Sequence, residues 1–477
     1  MAEHHYERED KFLVAPDWTL PELTPALPAG AVIEPSTVRL SSRYFDTADH
    51  ALLAQRVTLR ARTGDTDTGW QLKLPTGSGR TEVRLPADGA HADAGPAEVP
   101  DELRTLVRGL AGGLPLRPVA TLDTIRARSR ILNGAGVLLA ELADDRVTAT
   151  VPGPNVVVLR WREVEVELGP AGTEKLLAAI GRGLIQAGAR PAAGPSKLAQ
   201  ALGGMPGRVQ PARFDGRLGG LVWDYLDAQA TVLAEGDLAL RQGKLPIHST
   251  RVACRRYRSA LRVFQDLFED GRLAALDADL AWYAGLLGEI RDRQVLRKLL
   301  AGAVAELPPE LVQGPVAERI EHRLSADQGA ALERLLAAMS GSRYLAMMAE
   351  LARWQREPPF TARAADRADK ADRYLRQARS TLKRRLRRAG RDGDDHRMHQ
   401  ARKAAKRVRY AAELAEPVLG KPARRQRKRA KKLQQLLGRH QDGVLAAQVL
   451  GELARSTDAG DSGFTLGVLY SRMLAGR

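Results

Sequence analysis

The chain holds a single cysteine, Cys254, in 477 residues. A lone thiol excludes an intramolecular disulfide framework and any cysteine-rich zinc site, and no acyl-transfer constellation accompanies it. Aromatic residues are scarce at 5%, which leaves few platforms for stacking nucleic-acid bases. No apolar run reaches the ~20 residues that cross a bilayer. The opening MAEHHYERED is charged where a signal peptide needs an apolar core, so a cytoplasmic protein without membrane attachment is expected. Carboxylates, amines and guanidinium groups are left to carry the chemistry.

Charge is abundant and unevenly placed. The chain has 74 Lys and Arg against 57 Asp and Glu, a net of +17. Up to residue 205 there are 23 basic and 25 acidic residues, and beyond it 51 and 32, so the two parts carry −2 and +19. The change of sign falls in a Gly- and Pro-rich stretch, LGGMPGRVQPARFDGRLGG, that suits neither helix nor strand. We expect a first domain over 1–203, a linker over 204–220 and a second domain over 221–477. The first has short alternating runs such as HYEREDKF, RVTLRART, WQLKLP, RTEVRLP, VLLAELADD and VVVLRWREVEVEL, with a helix near 173–187. The second, rich in Ala, Leu and Arg with apolar residues three and four apart, reads as all-helical.

Residues two apart on a strand share a face. Glu7, Glu9 and Lys11 therefore align, as do Arg60 with Arg62, Arg80 with Glu82 and Arg84, Arg126 with Arg128 and Arg130, and Glu163 with Glu165 and Glu167. For one strand alone, a solvated face is the ordinary explanation. Together they segregate acids onto the first and last strands and bases onto the middle ones, as a divalent cation and a phosphate chain would require.

Glu7-Arg8-Glu9-Asp10-Lys11 matches the ExExK signature of CYTH domains, the triphosphate tunnel metalloenzymes. Tyr44 to Thr47, Arg60/Arg62, Lys73, Arg80 to Arg84, Glu141 with Asp144 and Asp145, Glu163 to Glu167 and Ser196-Lys197 follow in the family's order. The resemblance spans about residues 1 to 205. It implies an eight-stranded antiparallel β-tunnel, with flanking helices, that acts on triphosphate compounds with Mg²⁺ or Mn²⁺. Metal ligands (Glu7, Glu9, Glu165, Glu167) and a water-orienting base would come from a pool that also holds Glu163. Lys11, Arg60, Arg62, Lys73, Arg84, Arg126, Arg128 and Lys197 would clamp phosphates.

The second domain repeats itself. His248 to Arg258 overlays His399 to Arg409 at an offset of 151, and LGEIRD (287–292) overlays LGRHQD (437–442) at 150, which argues for an internal duplication. His248, Arg251, Arg255, Arg258 and Arg262 step by 3 and 4 along one helix face, opposite Ala253, Tyr257, Ala260 and Phe264. His399, Arg402, Lys406 and Arg409 repeat the row, and along their own helices both rows are uncompensated. This half resembles the CHAD domain, the conserved histidine α-helical domain. That resemblance implies pseudo-symmetric helical bundles that bind inorganic polyphosphate, with Arg256, Lys403 and Arg407 beside the two rows.

The sequence thus leads to a multidomain protein: a β-barrel tunnel of α+β type, then an all-α domain. The expected partners are polyphosphate, tripolyphosphate or other triphosphate compounds, with nucleic acid bound only non-specifically. The expected location is the cytoplasm, including polyphosphate granules. The rivals are a polyphosphate-binding protein without turnover, a cyclase acting on ATP, and a basic nucleic-acid-binding protein.

Overall fold

The computed structural model describes residues 5–65, 68–76, 79–86, 98–192, 196–204, 216–392, 395–455 and 463–475. The chain folds as two compact units, Met1–Arg208 and Val209–Arg477. Most of the expected linker, 205–215, lies outside the described residues, as do the side chains of Glu7, Arg80 and 437–442.

Among the described residues, ten strands make one antiparallel sheet in the first unit: β1 (His5–Glu7), β2 (Glu9–Val14), β3 (Val32–Asp46), β4 (Thr58–Thr63), β5 (Gly69–Thr76), β6 (Gly79–Leu85), β7 (Arg117–Leu132), β8 (Leu138–Val151), β9 (Val157–Leu168) and β10 (Arg190–Pro191). The order is β1-β6-β5-β4-β3-β7-β8-β9-β2-β10. β1 pairs with β6 and β2 with β9, while only Arg8 separates β1 from β2. One nearly continuous segment therefore closes the sheet into a barrel, and counting it once leaves eight strands plus the short β10. Pro35 is tolerated in β3 because β4 pairs only with Ser41–Phe45, so the Pro35 end has a neighbour on one side.

Around the charged cavity the inner faces are polar, and β9 is apolar on its outer face where a helix covers it. On β9, Val164 and Val166 are fully buried under Leu177, Ile180 and Leu184 of a covering helix, while Glu165 and Glu167 on the other face line the lumen. Among the described residues, four α-helices accompany the sheet: α1 (Ala51–Ala54), α2 (Asp101–Val107), α3 (Glu174–Gln186), which covers β9, and α4 (Lys197–Ala201). The helix expected near 173–187 is α3, started by Thr173, whose hydroxyl accepts from the Leu176 amide at 3.2 Å. Leu198, Ala199 and Ala201 of α4 pack inside the barrel with Tyr44, Leu122, Val147 and Ala149, filling one end of the lumen.

The second unit is helical: α5 (Leu218–Arg241), α6 (Ile247–Val263), α7 (Asp270–Ala305), α8 (Val316–Ser340), α9 (Ser342–Arg356), α10 (Ala371–Asp392), α11 (Asp395–Leu419), α12 (Lys421–Arg455) and α13 (Phe464–Ala475). The repeated segments fall on equivalent helices, α6 with α11 and α7 with α12, and each pair packs together. Ala253, Tyr257, Ala260 and Phe264 are all buried, so the apolar row of α6 is the one expected from the sequence. Among the described residues no helix is long and apolar enough to cross a membrane.

Candidate functional site

In the first unit, strand register brings the charged residues into a cavity of about 230 Å³. Glu9 pairs across to Glu167, and Glu167 to Glu141, so three carboxylates stand in a row on β2, β9 and β8. One step along lie Lys11 and Glu165, and beyond them Glu163, Asp145 and Arg126. The opposite wall comes from β4, β5 and β6 with Arg60, Arg62, Lys73 and Arg84. The segregation of acids from bases expected strand by strand holds only in part: Lys11, Arg126 and Lys197 stand among the carboxylates, and Glu82 stands among the cations.

The acidic wall holds a buried ion lattice. Lys11 Nζ lies 2.6 Å from Glu165 and 3.2 Å from Glu9. Burial opposes its charge, but Glu165 and Glu9 hold its pKa above the usual lysine value. Arg126 donates to both carboxylate oxygens of Asp145, at 2.8 and 2.7 Å, and to Glu165 at 3.1 Å. Lys197, the first residue of α4, lies 3.0, 2.6 and 2.8 Å from Asp145, Glu163 and Glu165. Burial works against ionised carboxylates here, yet Lys11, Lys197 and Arg126 hold Glu165 well below the carboxylate range. Lys197 and Arg126 also lower the Asp145 carboxyl, against the effect of burial.

Asp145, Glu163 and Glu165 form a group that could hold a metal ion. The Lys197 ammonium already contacts all three, so a cation there competes with an internal one. Glu9, Glu141 and Glu167 offer a second set of hard oxygen donors facing the lumen, the chemistry that suits Mg²⁺ or Mn²⁺. The donor type therefore suits a divalent ion, and among the described residues Asp145, Glu163 and Glu165 are the carboxylates whose oxygens converge closely enough to share one. Of the four expected metal ligands, Glu9, Glu165 and Glu167 come together, and the Glu7 side chain lies outside the described residues.

On the basic wall, Arg60 donates to Gln71 at 2.7 Å and to the Tyr44 hydroxyl at 3.0 Å, and Arg62 donates to Ser42 at 3.3 Å. Burial would raise the Tyr44 phenol, but Arg60 and Arg62 bring it below its ordinary value. Glu82 is buried among these cations, takes two hydrogen bonds from Arg84 at 2.8 and 2.6 Å, and is held low by Lys73 and Arg84 against the effect of burial. Arg128 contacts Asp65, which follows β4, and lies 3.3 Å from Glu141. The Tyr44–Thr47 motif also has a structural half. Asp46 accepts from the amides of Thr47, Leu52 and Leu53, fixing α1 beside the barrel.

Sequence reasoning gave no role to Asp65, Gln71, Tyr44, Glu82, Glu141 or Asp145, all of which stand in or beside this cavity. For Glu141 and Asp145 the signal was their even, four-residue spacing on β8, which puts both on one face; Asp144, between them, faces away and pairs with Arg162 at 2.7 Å. Asp65 lies outside any strand, so no periodicity marks it.

In the second unit the two cationic rows meet. Arg251, Arg255, Arg402 and Lys406 are close enough that burial, then Arg255, Arg402 and Arg251, push the Lys406 ammonium down to about 7. The Nε atoms of Arg255 and Arg402 are buried with no hydrogen-bond partner. His248 and His399 are both held below the ordinary histidine value, by burial and then by neighbouring cations. The two repeated motifs build one structure: Gly288 of LGEIRD leaves room for Arg251, whose guanidinium would lie 3.0 Å from a Cβ placed there, and Asp292 lies 3.4 Å from it. The corresponding contacts of 437–442 lie outside the described residues.

The expectation that the rows are uncompensated is corrected in part. Asp277 of α7 pairs with Arg258 at 3.1 Å and Arg262 at 2.6 Å, and Glu413 pairs with Arg256 at 2.7 Å. Arg409 donates to Gln434 at 3.1 Å. Arg407 lies beside Arg262 and Arg373 in a separate cavity of about 220 Å³, and Lys403 lies near His399. Cys254 is buried, which pushes its thiol up to about 12 and leaves it inert at neutral pH.

Comparison with known proteins follows the same division. The model of the CYTH domain matches residues 5–183 and that of the CHAD domain 224–451. An uncharacterized protein of Mycobacterium tuberculosis (strain CDC 1551 / Oshkosh) is 35% identical over 500 residues, covering 98% of this chain and 93% of its own. Among solved structures, PptA from Streptomyces chartreusis is 24% identical with a TM-score of 0.47, covering 54% of this chain and 94% of its own. The CHAD domain from the plant Ricinus communis is 25% identical with a TM-score of 0.44, covering 55% of this chain and 86% of its own. With both domain models matched in order and a relative that aligns with almost the whole chain, the chain belongs to the family of proteins that join an N-terminal CYTH domain to a C-terminal CHAD domain.

Proposed function

We propose that the first unit is a metal-dependent triphosphatase directed at tripolyphosphate or polyphosphate, and that the second binds long inorganic polyphosphate. The observation that carries the first half is the lumen itself, with one carboxylate wall facing one cationic wall across a space too small for a folded partner. Arg60, Arg62, Lys73 and Arg84 bind the phosphate oxygens, and their fixed hydrogen bonds keep them aimed without a substrate. Mg²⁺ or Mn²⁺, held by Glu9, Glu167 and Glu141, would neutralise phosphate oxygens and polarise the phosphoryl group. Glu165, held ionised by three cations, is a weak base and serves as an electrostatic anchor for Lys11. Orientation of the attacking water falls to Glu9 or Glu167. The shared cluster of Arg251, Arg255, Arg402 and Lys406 supports polyphosphate binding, because an anion would relieve its repulsion.

The test is phosphate release from tripolyphosphate, long polyphosphate, ATP and thiamine triphosphate with each metal. Lys11→Ala and an Arg60→Ala/Lys73→Ala double variant should each lose most turnover. Wild-type rates in both would remove the tunnel assignment, and no release under any condition would leave a binding protein.

A further inference from the structure

The first unit has a second concavity, larger than the lumen. It measures about 610 Å³ and lies on the outer wall of the barrel, crossing β3, β7, β8 and β9. Strand register sets Arg39 beside Ile125, Ile125 beside Arg146 and Arg146 beside Arg162, with Arg160 one step along β9. Arg162 is committed to Asp144 and to the backbone carbonyls of Pro16 and Trp18. Among the described residues, Arg39, Arg146 and Arg160 have no ion pair or side-chain hydrogen bond, and the one acid in the groove, Asp123, is held by Ser41 at 2.7 Å. Ile125, on the floor, is 46% exposed.

Like charges directly opposite on neighbouring strands are destabilising, and cross-strand partners of opposite sign are the usual remedy. A unit with a net charge of −2 up to residue 205 had acids enough to supply them. Arg146 and Arg160 on one side of Ile125, with Arg39 on the other, instead match a ligand with anionic oxygens at one end and a flat, weakly polar ring at the other, lying over Ile125 against Arg39. Guanidinium forks suit phosphate bidentately. Four strands and three residues along each give a footprint of roughly 14 by 7 Å, far short of the ~800 Å² per side of a protein interface. The volume falls among pockets for small molecules.

We propose that this groove binds a nucleotide carrying two or more phosphates, with the base over Ile125 against Arg39 and the phosphates on Arg146 and Arg160. The site is separate from the lumen and stands whether or not the tunnel turns over. The test is equilibrium binding of ADP bearing a fluorescent ribose ester to the full chain. The triple variant R39A/R146A/R160A should weaken binding at least tenfold and the single Arg146→Glu should weaken it measurably. The tunnel variant Arg60→Ala/Lys73→Ala should retain it. Four results overturn the proposal: no binding, unchanged binding in the triple variant, loss confined to the tunnel variant, or displacement from the tunnel variant by tripolyphosphate as readily as by unlabelled ADP. The last would mean that the apolar floor contributes nothing.

Discussion

Asp65 sits against Arg128 at the cavity edge, a carboxylate where a phosphate oxygen would otherwise bind. A substrate must displace it. Asp65→Asn should therefore lower KM for tripolyphosphate about fivefold, the equivalent of roughly 1 kcal/mol of charge competition, and leave kcat nearly unchanged. Steady-state kinetics at fixed metal would show this, and an unchanged or raised KM would contradict it. Lys197 poses the converse case, since removing its ammonium leaves Asp145, Glu163 and Glu165 facing one another with less compensation. Lys197→Ala should destabilise the first unit by about 3–5 kcal/mol, and Mn²⁺ or Mg²⁺ should restore a larger share of its melting temperature than either adds to wild type. Thermal unfolding with and without metal decides it.

At the scale of elements, α6 and α11 hold Lys406 among Arg251, Arg255 and Arg402, with Asp292 the acid that opposes them. Its pKa is lowered to about 7, so in the absence of an anion the ammonium is fully charged only below that pH. Above it, a bound phosphate must bring a proton with it, and affinity falls as pH rises. Lys406→Arg stays charged throughout. Polyphosphate titrations from pH 6 to 9 should show wild-type affinity declining several-fold and the variant staying nearly flat. What the sequence made legible follows from the same geometry. A period of two placed Lys11, Arg126 and Glu165 on lumen faces, and steps of three and four placed the α6 row opposite Tyr257 and Phe264. Both patterns are internal to one element. The partners that neutralise Arg258 and Arg262 come from Asp277 on the next helix, and the Lys197 cage draws on three separate elements. Such contacts have no signature along the chain until packing creates them.

For the whole molecule, the two units should answer salt differently. The second carries the excess positive charge, so long polyphosphate should bind with steep salt dependence, losing about a thousandfold or more between 50 and 200 mM salt if several contacts form. The buried cations of the lumen are screened less, so KM for tripolyphosphate should move much less over the same series. Equal slopes would mean that one surface serves both ligands. The filled end of the barrel has a further effect on any polymer that enters. With α4 packed into the lumen beneath Lys197, a linear chain cannot thread through and be cut at an interior bond; it can present only its terminus. Degradation would then proceed from chain ends, so average length would fall gradually while short fragments appeared from the first minutes, and a polymer with both ends blocked would survive intact.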